Sequence, residues 1–327
     1  MYKQHKISQW LHPLINWQQP HLKLLSAASA CLLLAAPIII PGSKVLAQQS
    51  VSQDLETASL YQQGVTRYHR QDLQGAESAF RLALQRDPSL DMARNYLGNI
   101  MLMRNRPDLA VAEYREAVRI NPNLAEGYYN LGLALDRDGQ KQAAINAYQE
   151  AVIIDPSNSV SQYNLGVILY ETGQVYAAIA AYEAAINFDS SNAKAYFNLA
   201  IARQEQGQIE SAIAAYQQAV ALEPDNATAY NNMGSLMAIQ GQNSEAIAVY
   251  RQAIRYNPQN ASTYYNLGVV LYNEGELKLA QKTLKQAEKL SAQQGNLEES
   301  QKIAQLIQEI DQLMEYQRQT SQNMKIK

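Results

Sequence analysis

From Thr57 onward the apolar positions of the chain recur with a period of 34 residues. The blocks begin at Thr57, Asp91, Ala125, Ser159, Ala193, Ala227 and Ala261, so seven copies fill 57–294. Inside each block, apolar side chains stand three and four residues apart in two runs, the spacing of one helix face. Each block therefore predicts two helices joined by a short turn.

The smallest residues fall at fixed places when each block is numbered by slots 1 to 34. Slot 8 is Gly64, Gly98, Gly132, Gly166, Ala200, Gly234 and Gly268, slot 20 is Ala throughout, and slot 27 is Ala from Ala83 to Ala287. Slot 24 is aromatic in six blocks (Phe80, Tyr114, Tyr148, Tyr182, Tyr216, Tyr250) and Leu284 in the last. Two antiparallel helices cross closely only where side chains are nearly absent, and a ring beside the crossing fills the space left over. Gly139, Gly173, Gly207, Gly241 and Gly275 stand at slot 15, where the end of a first helix favours a left-handed residue. Pro at slot 32 (Pro88, Pro122, Pro156, Pro224, Pro258; Ser190 in the fourth block) stops the second helix.

This pattern resembles the tetratricopeptide repeat (TPR) over residues 57–294. The resemblance implies an all-α fold, a right-handed superhelical solenoid of helix–turn–helix repeats that binds protein along its concave surface. The ends depart from the pattern. Gln63 and Arg67 occupy apolar slots of the first block, as expected of a terminal repeat with one face in water. Gln281 and Glu288 replace aliphatic residues in the last. Leu297, Ile303, Leu306, Ile307, Ile310, Leu313 and Met314 then recur at helical spacing, which predicts a capping helix over 295–318 and a disordered tail over 319–327.

Composition separates the first 47 residues from the rest. They hold both Trp (Trp10, Trp17), the single Cys31 and four Lys, with no acid and no Arg. The apolar run Leu24–Ile40 follows Lys3, Lys6 and Lys23 and leads through Pro41-Gly42-Ser43 to Val45-Leu46-Ala47. Small residues at that spacing suit signal peptidase. The expectation is a signal peptide over 1–47, a linker over 48–56 and export to a periplasm or equivalent lumen. An uncleaved membrane anchor and a lipid anchor on Cys31 are the alternatives, and membrane contact is expected only if the leader stays.

Beyond Ala47 there are 23 basic and 30 acidic side chains and no basic block, which argues against nucleic acid as a partner. Without cysteine this part has no thiol nucleophile, disulfide or Cys-ligated zinc. His69 is its only histidine and reads as solvated. Asp136-Arg137-Asp138-Gly139 lacks calcium-loop spacing and reads as a helix end. Asn226-Ala-Thr228 and Asn260-Ala-Ser262 fit the glycosylation pattern but fall at repeat junctions. No phosphate loop, cofactor motif or metal set is present, and the residues outside the repeats are too few for a catalytic domain. The chain is expected not to be an enzyme.

Candidate binding residues lie at slots 2, 5, 6, 9 and 13, on the face of the first helix away from slots 4, 8 and 11. Slot 6 is Asn130, Asn164, Asn198, Asn232 and Asn266, and slot 5 is Tyr129, Tyr163, Phe197, Asn231 and Tyr265. A carboxamide offers two donors and one acceptor group, so it can bridge the N–H and C=O of an extended peptide. The row is similar to the asparagine ladder of the O-linked N-acetylglucosamine transferases, which carries peptide. Hydrogen bonding within the scaffold is the alternative use of these amides. Lys194 is the only Lys or Arg at slots 2, 5, 6 or 9, so the basic clamp that holds C-terminal carboxylates in some TPR adaptors is missing. The expected function is a scaffold for a partner protein or extended peptide in envelope or complex assembly. The alternative is a substrate-recruiting or regulatory subunit acting in trans for an enzyme.

Overall fold

A close approach of two helices at one glycine sets the form of each repeat. In the computed structural model, which describes residues 55–325, a Cβ built on Gly98 would lie 2.5 Å from the Tyr114 ring. On Gly166 it would lie 2.6 Å from Tyr182, and on Gly64 2.6 Å from Phe80. The rings are fully buried, as are the alanines of slots 20 and 27 around them. Such burial stabilises by roughly 1.5–3 kcal/mol per large side chain. Ala200 stands at the same crossing before the buried Tyr216, so this repeat tolerates one methyl more.

The described residues comprise fifteen helices and no strand, and they fall into two units, 55–190 and 191–325. The first unit holds α1 (Leu55–His69), α2 (Leu73–Arg86), α3 (Asp91–Met103), α4 (Pro107–Ile120), α5 (Ala125–Arg137), α6 (Lys141–Ile154), α7 (Ser159–Glu171) and α8 (Val175–Phe188). The second holds α9 (Ala193–Glu205), α10 (Ile209–Leu222), α11 (Ala227–Ile239), α12 (Asn243–Tyr256), α13 (Ala261–Asn273), α14 (Leu277–Gln293) and α15 (Leu297–Lys325). Within each unit, odd and even helices pair as hairpins, and each second helix packs on the first helix of the next hairpin. This is an all-α repeat solenoid. The leader 1–47 and most of the 48–56 linker lie outside the described residues.

The turn inside each hairpin uses a left-handed residue at slot 15. Five are glycines with φ from 71° to 80°; in the first two repeats they are Gln71 (φ 63°) and Asn105 (φ 57°). The chain reverses through a bond from slot 16 back to slot 11, as in Gln140 N–H to the Leu135 carbonyl at 2.8 Å. That places Asp136–Gly139 at a helix end, with Asp138 as the C-cap of α5.

Between hairpins, Asn158, Asn192, Asn226 and Asn260 cap α7, α9, α11 and α13. Each side-chain oxygen accepts from the N–H three residues on, at 2.9–3.2 Å. This accounts for the asparagine of both Asn-Ala-Thr/Ser triplets. α3 and α5 start after Leu90 and Leu124, which provide no side-chain cap.

At the ends, Gln63 and Arg67 of α1 are exposed. α15 lays Ile303, Leu306, Ile307 and Ile310, all buried, against α14, whereas Leu297 and Leu313 are exposed. The helix runs to Lys325, past the end expected near 318. Residues 311–325 contain neither Gly nor Pro, so nothing breaks it, and Thr320 and Ser321 bond back to the carbonyls of Tyr316 and Gln317.

Candidate binding face

The ten residues singled out from the sequence stand on first helices. In the first unit these are Tyr129 and Asn130 on α5 and Tyr163 and Asn164 on α7. In the second they are Phe197 and Asn198 on α9, Asn231 and Asn232 on α11, and Tyr265 and Asn266 on α13. Asn130, Asn198, Tyr265 and Asn266 are buried, so the face is less open than a position away from slots 4, 8 and 11 implies.

The slot-5 rings lean on the buried slot-24 rings of their own hairpins. Tyr129 meets Tyr148 at 5.9 Å, Tyr163 meets Tyr182 at 6.1 Å and Phe197 meets Tyr216 at 5.8 Å, in tilted or edge-on contacts. All three slot-5 rings are half-buried, while Tyr265 is buried.

The asparagines divide by what precedes them. Asn130 donates from Nδ2 to Asn95 Oδ1 at 3.1 Å, and Asn266 donates to Asn231 Oδ1 at 3.2 Å. In both pairs a slot-5 asparagine of one repeat receives the slot-6 asparagine of the next. Asn95, Asn130 and Asn266 are buried, so these bonds satisfy groups that water cannot reach. Where slot 5 is aromatic, that partner is gone. Asn164, one repeat after Tyr129, donates instead to the Val160 carbonyl of its own helix at 2.8 Å. Asn232, one repeat after Phe197, donates to the Tyr216 hydroxyl at 3.2 Å and accepts from Asn231 at 3.4 Å. Asn198 is buried. The five asparagines therefore form no uniform row: Asn130, Asn232 and Asn266 bond to the preceding repeat, whereas the Asn164 amide bonds within its own helix.

Slot 9 sets how polar the face is. Tyr114 donates to Asn99 at 2.5 Å and Tyr250 donates to Ser235 at 3.1 Å, so a polar slot 9 serves the buried tyrosine hydroxyl. Burial raises the pKa of both hydroxyls, and the bond to Ser235 offsets part of the rise at Tyr250. Leu133, Val167 and Ile201 take the same slot in the middle repeats and are half-exposed. In the first unit Tyr129, Leu133, Val160, Tyr163, Asn164 and Val167 thus make a mostly apolar strip on α5 and α7, with Val160 47% exposed.

Sequence reasoning missed the polar floor nearer the N-terminus, which involves Asn95, Tyr96 and Glu126. The signal was available, because Asn95-Tyr96 reverses the Tyr-Asn order of 129–130 and 163–164. Among the described residues no cluster of His, Cys, Asp or Glu could hold a metal ion, and no helix is long and apolar enough to cross a membrane.

Comparison with known proteins agrees with this architecture. The family model described as "TPR repeat" matches residues 98–139, 168–207, 204–239 and 236–275. Models described as "Tetratricopeptide repeat" match 125–158 and 261–294. Together they span more than half of the chain, and the chain belongs to the TPR family. Among solved structures, the C-terminal part of a TPR repeat-containing protein from Cytophaga hutchinsonii is 18% identical with a TM-score of 0.59, covering 71% of this chain and 95% of that one. YrrB, described as "a TPR protein with an unusual peptide-binding site", is 20% identical with a TM-score of 0.53, covering 61% of this chain and 100% of its own. MamA is 26% identical with a TM-score of 0.48, covering 54% and 99%. The first two likenesses show the fold. No curated protein matches the sequence.

Proposed function

We propose that this protein is a non-catalytic interaction scaffold that holds an extended segment of a partner protein along its first helices. The observation that carries this reading is the half-exposed strip of Tyr129, Leu133, Val160, Tyr163, Asn164 and Val167. Slot 9 accepts Asn99 and Ser235 elsewhere, so the fold does not require apolar residues there, and a partner that buries them gives them a use. Asn164 has no amide partner in the neighbouring repeat and its carboxamide oxygen accepts no bond among the described residues, which suits it to a peptide N–H. The peptide-binding site named for YrrB supports the same use of a TPR stack. The leader, with its apolar run and Val45-Leu46-Ala47, supports action outside the cytoplasm in the assembly of an envelope or a complex.

Site-directed photo-crosslinking in cells tests this. A crosslinking side chain at 133 or 167 should trap one and the same partner. The same group at 153 or 176, on the second helices where Ile153 and Tyr176 are 67% and 71% exposed, should not. Trapping from 153 and 176 alone would place binding on the other helices and overturn the proposal.

A further inference from the structure

Three half-buried tyrosines gather on the first helices of the first two repeats: Tyr61 and Tyr68 on α1 and Tyr96 on α3. The Tyr96 ring lies 6.3 Å from Tyr61 and 5.1 Å from Tyr68, edge-on to both, and stacks at 5.1 Å on the buried Phe80. Glu126, on α5, is tied to Asn95, the chain neighbour of Tyr96. Asn130 donates to Asn95 at 3.1 Å, and Asn95, only 1% exposed, donates in turn to Glu126 Oε1 at 3.1 Å. Two asparagines from adjacent repeats thus aim one carboxylate. Burial raises the hydroxyl pKa of Tyr61, Tyr68 and Tyr96, and the Glu126 charge adds to each rise.

No Lys, Arg or His among the described residues pairs with Glu126. Arg94, the chain neighbour of Asn95, is engaged with Glu113 at 3.1 Å. Nor does starting a first helix require an acid in this turn, since α7, α9, α11 and α13 have none. An exposed carboxylate, oriented by a buried amide whose chain neighbour belongs to a tyrosine cluster, complements a cation with an apolar stem.

We infer that the face formed by α1, α3 and α5 accepts a lysine or arginine side chain of the bound segment, paired with Glu126 and lying against Tyr61, Tyr68 and Tyr96. This rests on the scaffold reading above and specifies the partner: an extended segment with a basic residue beside an apolar stretch. The aliphatic stem packs on the rings while the charged head meets the carboxylate.

The test uses the full chain and two fluorescein-labelled dodecapeptides of Ser and Leu with either Arg or its neutral isostere citrulline at the centre, followed by polarisation at low salt. A cation at an aromatic face plus an exposed ion pair should favour Arg over citrulline by about five- to thirty-fold. Glu126→Gln should remove most of that preference. Equal affinity of the two peptides for the unaltered protein would overturn the cation site and leave the scaffold reading standing. A preference that survives Glu126→Gln would overturn the role of Glu126. Binding of neither peptide would overturn both.

Discussion

At Gln71 and Asn105 the backbone takes a left-handed turn that five later repeats give to glycine. A side chain with a Cβ is disfavoured there by roughly 1–2 kcal/mol, while glycine loses more chain entropy on folding. The first effect wins, so Gln71→Gly should stabilise the protein by about 0.5–1 kcal/mol, read as a rise in the urea midpoint with unchanged slope. The crossing glycines act in the opposite sense. Gly166→Leu would drive a branched side chain into Tyr182, where even a Cβ comes within 2.6 Å. Overpacking of this kind costs ~1–3 kcal/mol. The crossing was readable in the sequence because sterics leave only Gly or Ala there. The left-handed turn was readable only in part: glycine marks it from Gly139 onward, whereas Gln71 carries no mark and Asn105 only a faint one.

Four first helices, α7, α9, α11 and α13, begin where an asparagine satisfies one of their free N–H groups. Asn226 accepts from Ala229 at 2.9 Å, and Asn226→Ala should cost about 0.5–2 kcal/mol, checked by thermal melts. Leu90 and Leu124 show that apolar contact can replace a cap; Leu124 packs beside Gly127, where a Cβ would come within 2.8 Å of it. Element starts were legible because the period repeats them. The far end of α15 was not, because the pattern of buried residues stops at Ile310 while the backbone continues to Lys325. Burial ends a stripe, but only a breaker ends a helix. The asparagine row was likewise half legible. Its positions followed from the period, yet its bonds depend on the preceding slot 5, as Asn130 with Asn95 and Asn164 with Val160 show.

At the scale of the molecule, each repeat within a unit packs only on its neighbours, so damage stays local. Gly166→Leu should therefore lower hydrogen-exchange protection in α7 and α8 while α3 and α4 retain theirs. The same modularity separates binding from folding. Leu133 and Val167 stand at a slot that is Asn99 or Ser235 in other repeats, so the scaffold accepts a polar side chain there. The most direct measurement is a calorimetric titration of the crosslinked partner, once purified, into Leu133→Asn/Val167→Asn, with Tyr176→Ala as the second-helix control. Losing two aliphatic contacts of about 1 kcal/mol each should weaken binding at least about tenfold. The melting temperature should stay within a few degrees of the parent, and Tyr176→Ala should bind normally. Unchanged affinity in the double variant, with binding lost in Tyr176→Ala, would contradict the account.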